Sequence, residues 1–264
     1  MIFLKPLIYC SVEQLLSILA IRNDDSVRQH MLTSELILEQ HWFNYLLGLR
    51  QNRNTFHLGV FNGKGLVIGV IEVNEINFLN KTALWAIYLA SDYRQGLGAV
   101  LEFYMMDYLF NEIGLEKIEC TVLETNPAVL KMHLKFGYEI EGIKKNHVQR
   151  DLSRLNLYLL GLNKNRWLST KVGLYSRYHK FIDKHSIHNL QLIQDASDEI
   201  VHDFNLKFLE LTEKSLLDTK MDAKQIKNII EMTRKSLDDE GKYKSIYQSI
   251  LNSRSSTLGV VHEK

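Results

Sequence analysis

The chain has 264 residues, 45% hydrophobic and 24% charged, and its 32 Lys and Arg against 31 Asp and Glu leave a formal net charge of +1. Two cysteines, Cys10 and Cys120, exclude a disulfide framework and a cysteine-rich zinc module, and no metal site is expected. The even charge gives no general footprint for nucleic acid, and no run approaches the roughly 18 apolar residues of a membrane span. The apolar start, Met1 to Cys10, lacks a basic leader and reads as a first strand, so the simplest expected compartment is cytoplasmic.

In chain order, Ile2 to Tyr9 predicts a short strand. Ser11 and Gln14 have capping-box spacing at the start of a helix whose apolar side is Leu15, Leu16, Ile18 and Leu19. Leu38 to Leu49 predicts a second helix. Phe56–Phe61 and Leu66–Ile76 read as strands joined by Asn62-Gly63-Lys64-Gly65, a strong hairpin signal. Thr82–Ala90 is another strand, and Gly98–Ile113 an amphipathic helix with Leu101, Met105, Tyr108 and Leu109 on one side. Lys117–Leu123 reads as a strand and Pro127–Phe136 as a short helix with proline in its first turn. Tyr138–Gln149 and Leu155–Leu162 close the series as a hairpin.

Eleven of the 14 glycines lie between Gly48 and Gly161, so turns are dense in the first part and sparse after it. This change places a boundary near Arg166, with a mixed domain over 1–166 and a helical extension over 167–264. In the extension, Ile200, Val201, Phe204 and Phe208 mark one helix side. Ile226, Ile230, Thr233 and Leu237 mark a second, with Asp222 and Gln225 as its cap, and Tyr243, Ile246, Tyr247 and Ile250 a third. Such narrow stripes could form a small bundle, pack on the first domain, or join a second copy or protein partner.

The segment richest in chemistry is a strand, Trp85-Ala86-Ile87-Tyr88-Leu89, followed by Tyr93-Arg94-Gln95-Gly96-Leu97-Gly98-Ala99 and a long helix. Gly-x-Gly at a helix start lets backbone approach an anion, and first-turn N–H groups and the helix dipole then bind phosphate. A plain glycine turn explains the same residues, and the dinucleotide fingerprint is absent because its third glycine is missing. Further on, Glu124-Thr125-Asn126-Pro127 opens a short helix that leads through His133 to Lys135-Phe136-Gly137-Tyr138 and Glu141-Gly142.

These two motifs, in this order and separation, closely resemble the GNAT superfamily of acetyl-CoA-dependent N-acetyltransferases over roughly residues 1–166. The resemblance implies an α+β fold: a mainly antiparallel twisted sheet with a splayed central strand pair, flanked by helices. Within the superfamily, Ile21-Arg22-Asn23, Met31, His41 with Phe43 and Leu46, Ile76-Asn77-Phe78 and Ile87-Tyr88 resemble the UDP-amino-sugar N-acetyltransferases of pseudaminic-acid biosynthesis. Those enzymes acetylate the 4-amino group of a UDP-linked amino-dideoxy sugar. Related N-terminal halves occur in enzymes acting on protein N-termini, so an acetyltransferase of protein or peptide N-termini or of small amines is the alternative, and a non-catalytic acyl-CoA-binding or scaffold protein is a further class. Two departures stand out: Tyr93 occupies the position usual for Arg or Gln, with Arg94 one place late, and His133 stands where many members carry tyrosine.

The resemblance implies acetyl-CoA as cosubstrate, held by Ile87, Tyr88, Leu89, Arg94, Gln95, Gly96, Leu97, Gly98, Ala99 and Asn126. It implies direct amine attack with a backbone N–H near Tyr88 and Leu89 on the oxyanion, a carboxylate or water base, and His133 protonating the departing thiolate. Each residue also has a plainer reading. His133 could be a wall residue, Asn126 a turn former, Arg22 a helix-end charge, Met31 core filler and His41 a helix-face residue. As acceptor contacts the resemblance implies Arg22, Met31 and His41. Glu72 and Glu75, three apart on one strand, face opposite ways, so at most one points inward; either is a candidate base against a default of solvated strand face, and Glu72 is the one carried forward. Cys120, inside a core strand, reads as a buried thiol rather than a nucleophile.

Overall fold

The structure is a computed structural model and describes residues 2–52, 54–184, 198–217 and 221–240. These residues form two compact units. The first comprises residues 1–7, 14–37 and 54–192; the second comprises 8–13, 38–53 and 193–264.

The first unit is built on a seven-stranded sheet in the order β1-β2-β3-β4-β5-β7-β6. Its strands are β1 (Ile2–Pro6), β2 (Phe56–Asn62), β3 (Val67–Asn77), β4 (Thr82–Leu89), β5 (Lys117–Leu123), β6 (Glu139–Arg150) and β7 (Ser153–Asn163). The helices α1 (Val12–Asn23), α2 (Asp25–Arg28), α4 (Leu97–Asp107), α5 (Pro127–Lys135) and α6 (Lys164–Lys184) belong to it, α1 from Gln14 onward; α3 (Glu39–Gln51) belongs to the second unit. The mixed α+β sheet expected from the sequence is present, and only β4 and β5 run parallel.

The central pair splits. β4 and β5 pair only at Thr82–Lys117, Ala83–Ile118 and Leu84–Glu119. Beyond that, β4 stays laddered to β3 as far as Leu89, and β5 to β7 as far as Leu123. This is the expected splay.

Local chemistry explains the elements. At the β2–β3 turn, Gly65 has φ +76°, and the Asn62 side chain accepts from Lys64 N and Leu66 N. Asp24 caps α2, a short turn the sequence reading missed, by accepting from Ser26 N at 2.9 Å. The first strand ends at Pro6, and Leu7–Tyr9 form a 3₁₀ turn instead of its last residues. The long helix over 97–113 is α-helical only to Asp107. It widens to a π turn over Tyr108–Glu112, with Ile113 N bonding Tyr108 O, and stops at Gly114, where φ is +80°.

The boundary expected at Arg166 falls inside α6, because the hydrophobic pattern does not break there. Trp167 is fully buried, with ring centroids 5.3 Å from Phe103 and 6.3 Å from Phe136. Its indole N–H and Lys171 both reach the Asp107 carboxylate. The start of the helical extension is therefore a structural part of the sheet unit.

In the second unit, α3 meets α7 (Asp198–Leu217) and α8 (Ala223–Glu240). Phe43 and Phe204 pack at 5.4 Å, Arg50 lies 3.7 Å over the Phe204 ring, and Lys207 pairs with Glu39. The Asp222–Gln225 cap forms reciprocally: Asp222 N donates to Gln225 Oε1, and Gln225 N to Asp222 Oδ1. A cavity of about 530 Å³ lies among Asn44, Leu47, Phe208, Leu216, Met232 and Leu237. The stripe at Tyr243–Ile250 lies outside the described residues. Among the described residues, no helix is long and apolar enough to cross a membrane.

Trp167→Ala should cost about 3–5 kcal/mol, the usual penalty for emptying a core tryptophan site. Urea unfolding of the full chain measures it, and a loss below about 1 kcal/mol would mean that α6 is not anchored through this residue.

Candidate active site

Register decides which side chains share a sheet face. His57 on β2, Glu72 on β3 and Ala86 on β4 are cross-strand partners, as are Gly59, Val70 and Tyr88. Strand alternation therefore puts His57, Glu72, Asn74, Ala86 and Tyr88 on one face. Ala86 is exposed although it lies in the middle of the sheet, so this face is open beside the split. Glu72 is half-buried there. Glu75 is exposed, with φ +51°, where the β3–β4 register shifts between Asn74 and Asn77.

Arg22, at the end of α1, lies within electrostatic reach of both Tyr88 and Glu72. Burial lowers its pKa, and the carboxylate of Glu72 opposes that effect. Its Nη2 donates to Thr33 O, while its Nη1 is buried with no hydrogen-bond partner among the described residues. Glu72 and Tyr88 thus share this face, with Arg22 within electrostatic reach of both.

The segment after α2 is tied down by side chains that the sequence reading did not single out. Arg28 Nη1 donates to Ser34 O at 2.7 Å, and Arg150 Nη2 donates to Met31 O. Asn23 donates to Ile37 O and accepts from Ile37 N at 2.9 and 2.8 Å. Met31 is half-buried, and its main chain is the part that the structure engages. His41 is exposed on α3, in the second unit.

At the split, the backbone of β4 is sorted by strand geometry. Ala90 N bonds to Ile68 O, and a Cβ on Gly69 would lie 2.4 Å from Tyr88 O, so Tyr88 and Ala90 turn their peptide groups toward β3. Alternation then turns Ile87 and Leu89 toward the split, and Leu89 O duly accepts from Arg94 Nε at 3.0 Å. Of the two backbone donors expected at the strand end, Leu89 is the one directed into the opening.

The turn that follows has the conformation Gly-x-Gly permits. Gly96 sits in the left-handed region at φ +81° and precedes the first turn of α4, where Ala99 N and Val100 N bond to Gly96 O and helix geometry gives the N–H groups of Leu97 and Gly98 no intrahelical acceptor. A Cβ on Gly98 would meet only Leu89 Cδ1 at 3.9 Å, so packing does not require glycine there; the space above it is open. Arg94 is braced by Leu89 O and by Ser26 Oγ at 2.9 Å, and its charge, after burial, lowers the pKa of His30. Tyr93 is turned away to the hairpin, accepting from Asn62 Nδ2.

Across the split, Asn126 caps α5 by accepting from Val129 N at 3.4 Å, and Glu124 is committed to Asn156 through both carboxylate oxygens. His133 is 4% exposed, with Nδ1 2.7 Å from Glu102 Oε1 and its ring 4.9 Å from Tyr138. The ring is therefore engaged in the interior and is not presented to the open face, as a proton donor to a ligand there would need to be. Glu102, wholly buried on α4, was missed; a lone glutamate in an apolar helix stripe was the available signal.

With this geometry in place, known proteins can be compared. Residues 15–138 match the model of the acetyltransferase (GNAT) family. The chain carries the GNAT acetyltransferase fold. A spermidine N(1)-acetyltransferase of Vibrio cholerae serotype O1 is 30% identical over 77 residues, 29% of this chain and 44% of that protein, so the match spans under half of that relative. The spermidine N-acetyltransferase of Vibrio cholerae solved with CoA and spermine superposes with TM-score 0.58 at 18% identity, covering 63% of this chain and 98% of that one. A dodecameric form of the Vibrio cholerae enzyme gives 0.54 at 19% identity, over 63% and 96% of the two chains. The resemblance to UDP-amino-sugar enzymes finds no counterpart among these relatives, which are named for polyamine acetylation.

Asn23→Ala should raise amide exchange at Ile37 about tenfold, the effect of losing roughly 1.4 kcal/mol of local hydrogen bonding. Exchange followed by mass spectrometry reads this directly, and unchanged exchange would mean that the arginine contacts alone fix the segment.

Proposed function

We propose that the protein transfers the acetyl group of acetyl-CoA to the primary amine of a small molecule, by direct attack in a ternary complex. The observation that carries this reading is the shared face of Glu72 and Tyr88, open at Ala86 beside the β4–β5 split, next to a Gly-x-Gly helix start.

In this reading, the coenzyme pyrophosphate lies over Arg94, Gln95, Gly96, Leu97, Gly98 and Ala99, and pantetheine runs along Ile87 to Ala90. The N–H of Leu89 polarises the thioester carbonyl and stabilises the oxyanion. Glu72 takes a proton from the incoming amine; nitrogen bonds to the carbonyl carbon, the C–S bond breaks, and the thiolate takes a proton from solvent. Tyr88 shapes the wall between the two substrates. No covalent step on the buried Cys120 is called for, since burial raises its thiol pKa.

For the acceptor, the relatives named for spermidine support a small amine. A second reading rests on Arg22. A half-buried guanidinium with an unpartnered Nη1 suits an acceptor that also carries an anion, such as the UDP-linked amino sugar expected from the sequence, with Met31 as a further contact. Self-association through the C-terminal helices belongs to the same proposal.

Incubation with acetyl-CoA and a panel of polyamines, UDP-amino sugars and peptides, with detection of free thiol, separates these acceptors. A polyamine turnover advantage supports the first reading, a UDP-amino-sugar advantage the second, and activity confined to peptides contradicts both. Glu72→Gln should lower kcat by roughly 10²–10⁴-fold with coenzyme A affinity unchanged. Gly98→Leu should fold normally yet bind coenzyme A at least about tenfold more weakly by calorimetry, because its side chain fills the space kept for phosphate. Unchanged affinity would remove the coenzyme from this turn.

A further inference from the structure

The buried polar cluster under α5 takes no part in the chemistry above. Glu102 is 0% exposed, and its Oε1 accepts from His133 Nδ1 at 2.7 Å, a length typical of a charge-assisted bond. The other groups facing this pair are Cys120 on β5 and Tyr138 after α5; the Tyr138 hydroxyl donates to Met106 Sδ at 3.2 Å. Glu102 Oε2 is buried with no hydrogen-bond partner among the described residues, and no lysine or arginine among them pairs with this carboxylate.

A carboxylate in that position is costly unless a cation compensates it, and His133 is the group placed to do so. The pairing is therefore directional: it ties one point of α4 to one point of α5, where apolar packing alone would tolerate sliding. The two helices start on opposite sides of the split, α4 at the Gly96–Ala99 turn and α5 where β5 ends.

We propose that Glu102 and His133 form a buried charged latch that fixes α5 against α4 and so sets the width of the coenzyme cleft, making His133 a positioning residue. The proposal rests on the coenzyme reading above. Burial, the largest influence on His133, disfavours its charged form. The Glu102 carboxylate and hydrogen bonds to Cys120 and Glu102 outweigh that and hold its pKa well above the ordinary 6.5. With the folded pKa raised, the latch is complete below about 6.5 and is lost only as pH climbs through the raised value.

The test is a double-mutant cycle on the full chain, with coenzyme A affinity read by calorimetry and kcat at saturating acetyl-CoA. Glu102→Gln and His133→Gln should each weaken coenzyme A binding by about ten- to a hundredfold, the scale of a misplaced binding group, with kcat within about threefold. The double variant, in which two neutral amides can bond each other, should recover most of that loss. A His133→Gln protein with intact affinity and kcat lowered more than about tenfold would overturn the latch and restore the proton-donor role. Additive losses, or none, would overturn it as well. Should a single variant fail to fold, the wild-type protein decides. Coenzyme A affinity must fall in step with the deprotonation of His133 followed by its ring resonances, and affinity constant through that titration overturns the proposal. A wild-type protein that binds no coenzyme A would instead sink the coenzyme reading, before any latch variant is measured.

Discussion

A parallel pair of strands that stops pairing after three rungs is the constraint on which the sheet unit depends. β4 and β5 are held together at Thr82–Leu84 and Lys117–Glu119, and each then follows a different antiparallel neighbour. Main-chain groups in the middle of a sheet would normally be consumed by the next strand. Here the split leaves Ile87 and Leu89 turned toward an opening, with an exposed Ala86 on the neighbouring rung. The features that the proposed function draws on are arranged around that break: the Gly96 turn that follows β4, the Glu72–Tyr88 face, and α5 on the far side.

The surroundings of the opening are unusually rich in arginine side chains spent on main-chain carbonyls. Arg22, Arg28 and Arg150 hold Thr33, Ser34 and Met31, and Arg94 holds Leu89. Such contacts fix a segment whose leucines are left exposed, Leu32 and Leu36 among them, and which apolar burial therefore does little to anchor.

What could be read from the sequence was whatever is encoded locally. The Asn62–Gly65 hairpin, the Gly-x-Gly helix start, Pro127 in the first turn of α5 and the Asp222–Gln225 cap each depend on residues a few positions apart, and each is present as expected. The β4–β5 splay came from the family resemblance, since no local pattern announces where two strands stop pairing. Long-range partners were invisible. That α6 runs on through Arg166 was not legible, because Trp167 finds Phe103 and Phe136 only in three dimensions. The surroundings of His133 depend on Glu102, thirty-one positions away, and nothing in either segment signals the other. Glu72 could be separated from Glu75 only in part: alternation put them on opposite faces, but the bulge that exposes Glu75 needed the register.

The central claim is that the break between β4 and β5, with its glycine turn, is the coenzyme cleft. Hydrogen exchange of the full chain with and without saturating coenzyme A tests it most directly. The account predicts new protection concentrated in Ile87–Ala90 and Gly96–Val100, with β1, β6 and β7 unchanged. Protection confined to the helices of the second unit, or spread evenly over the sheet, would contradict it.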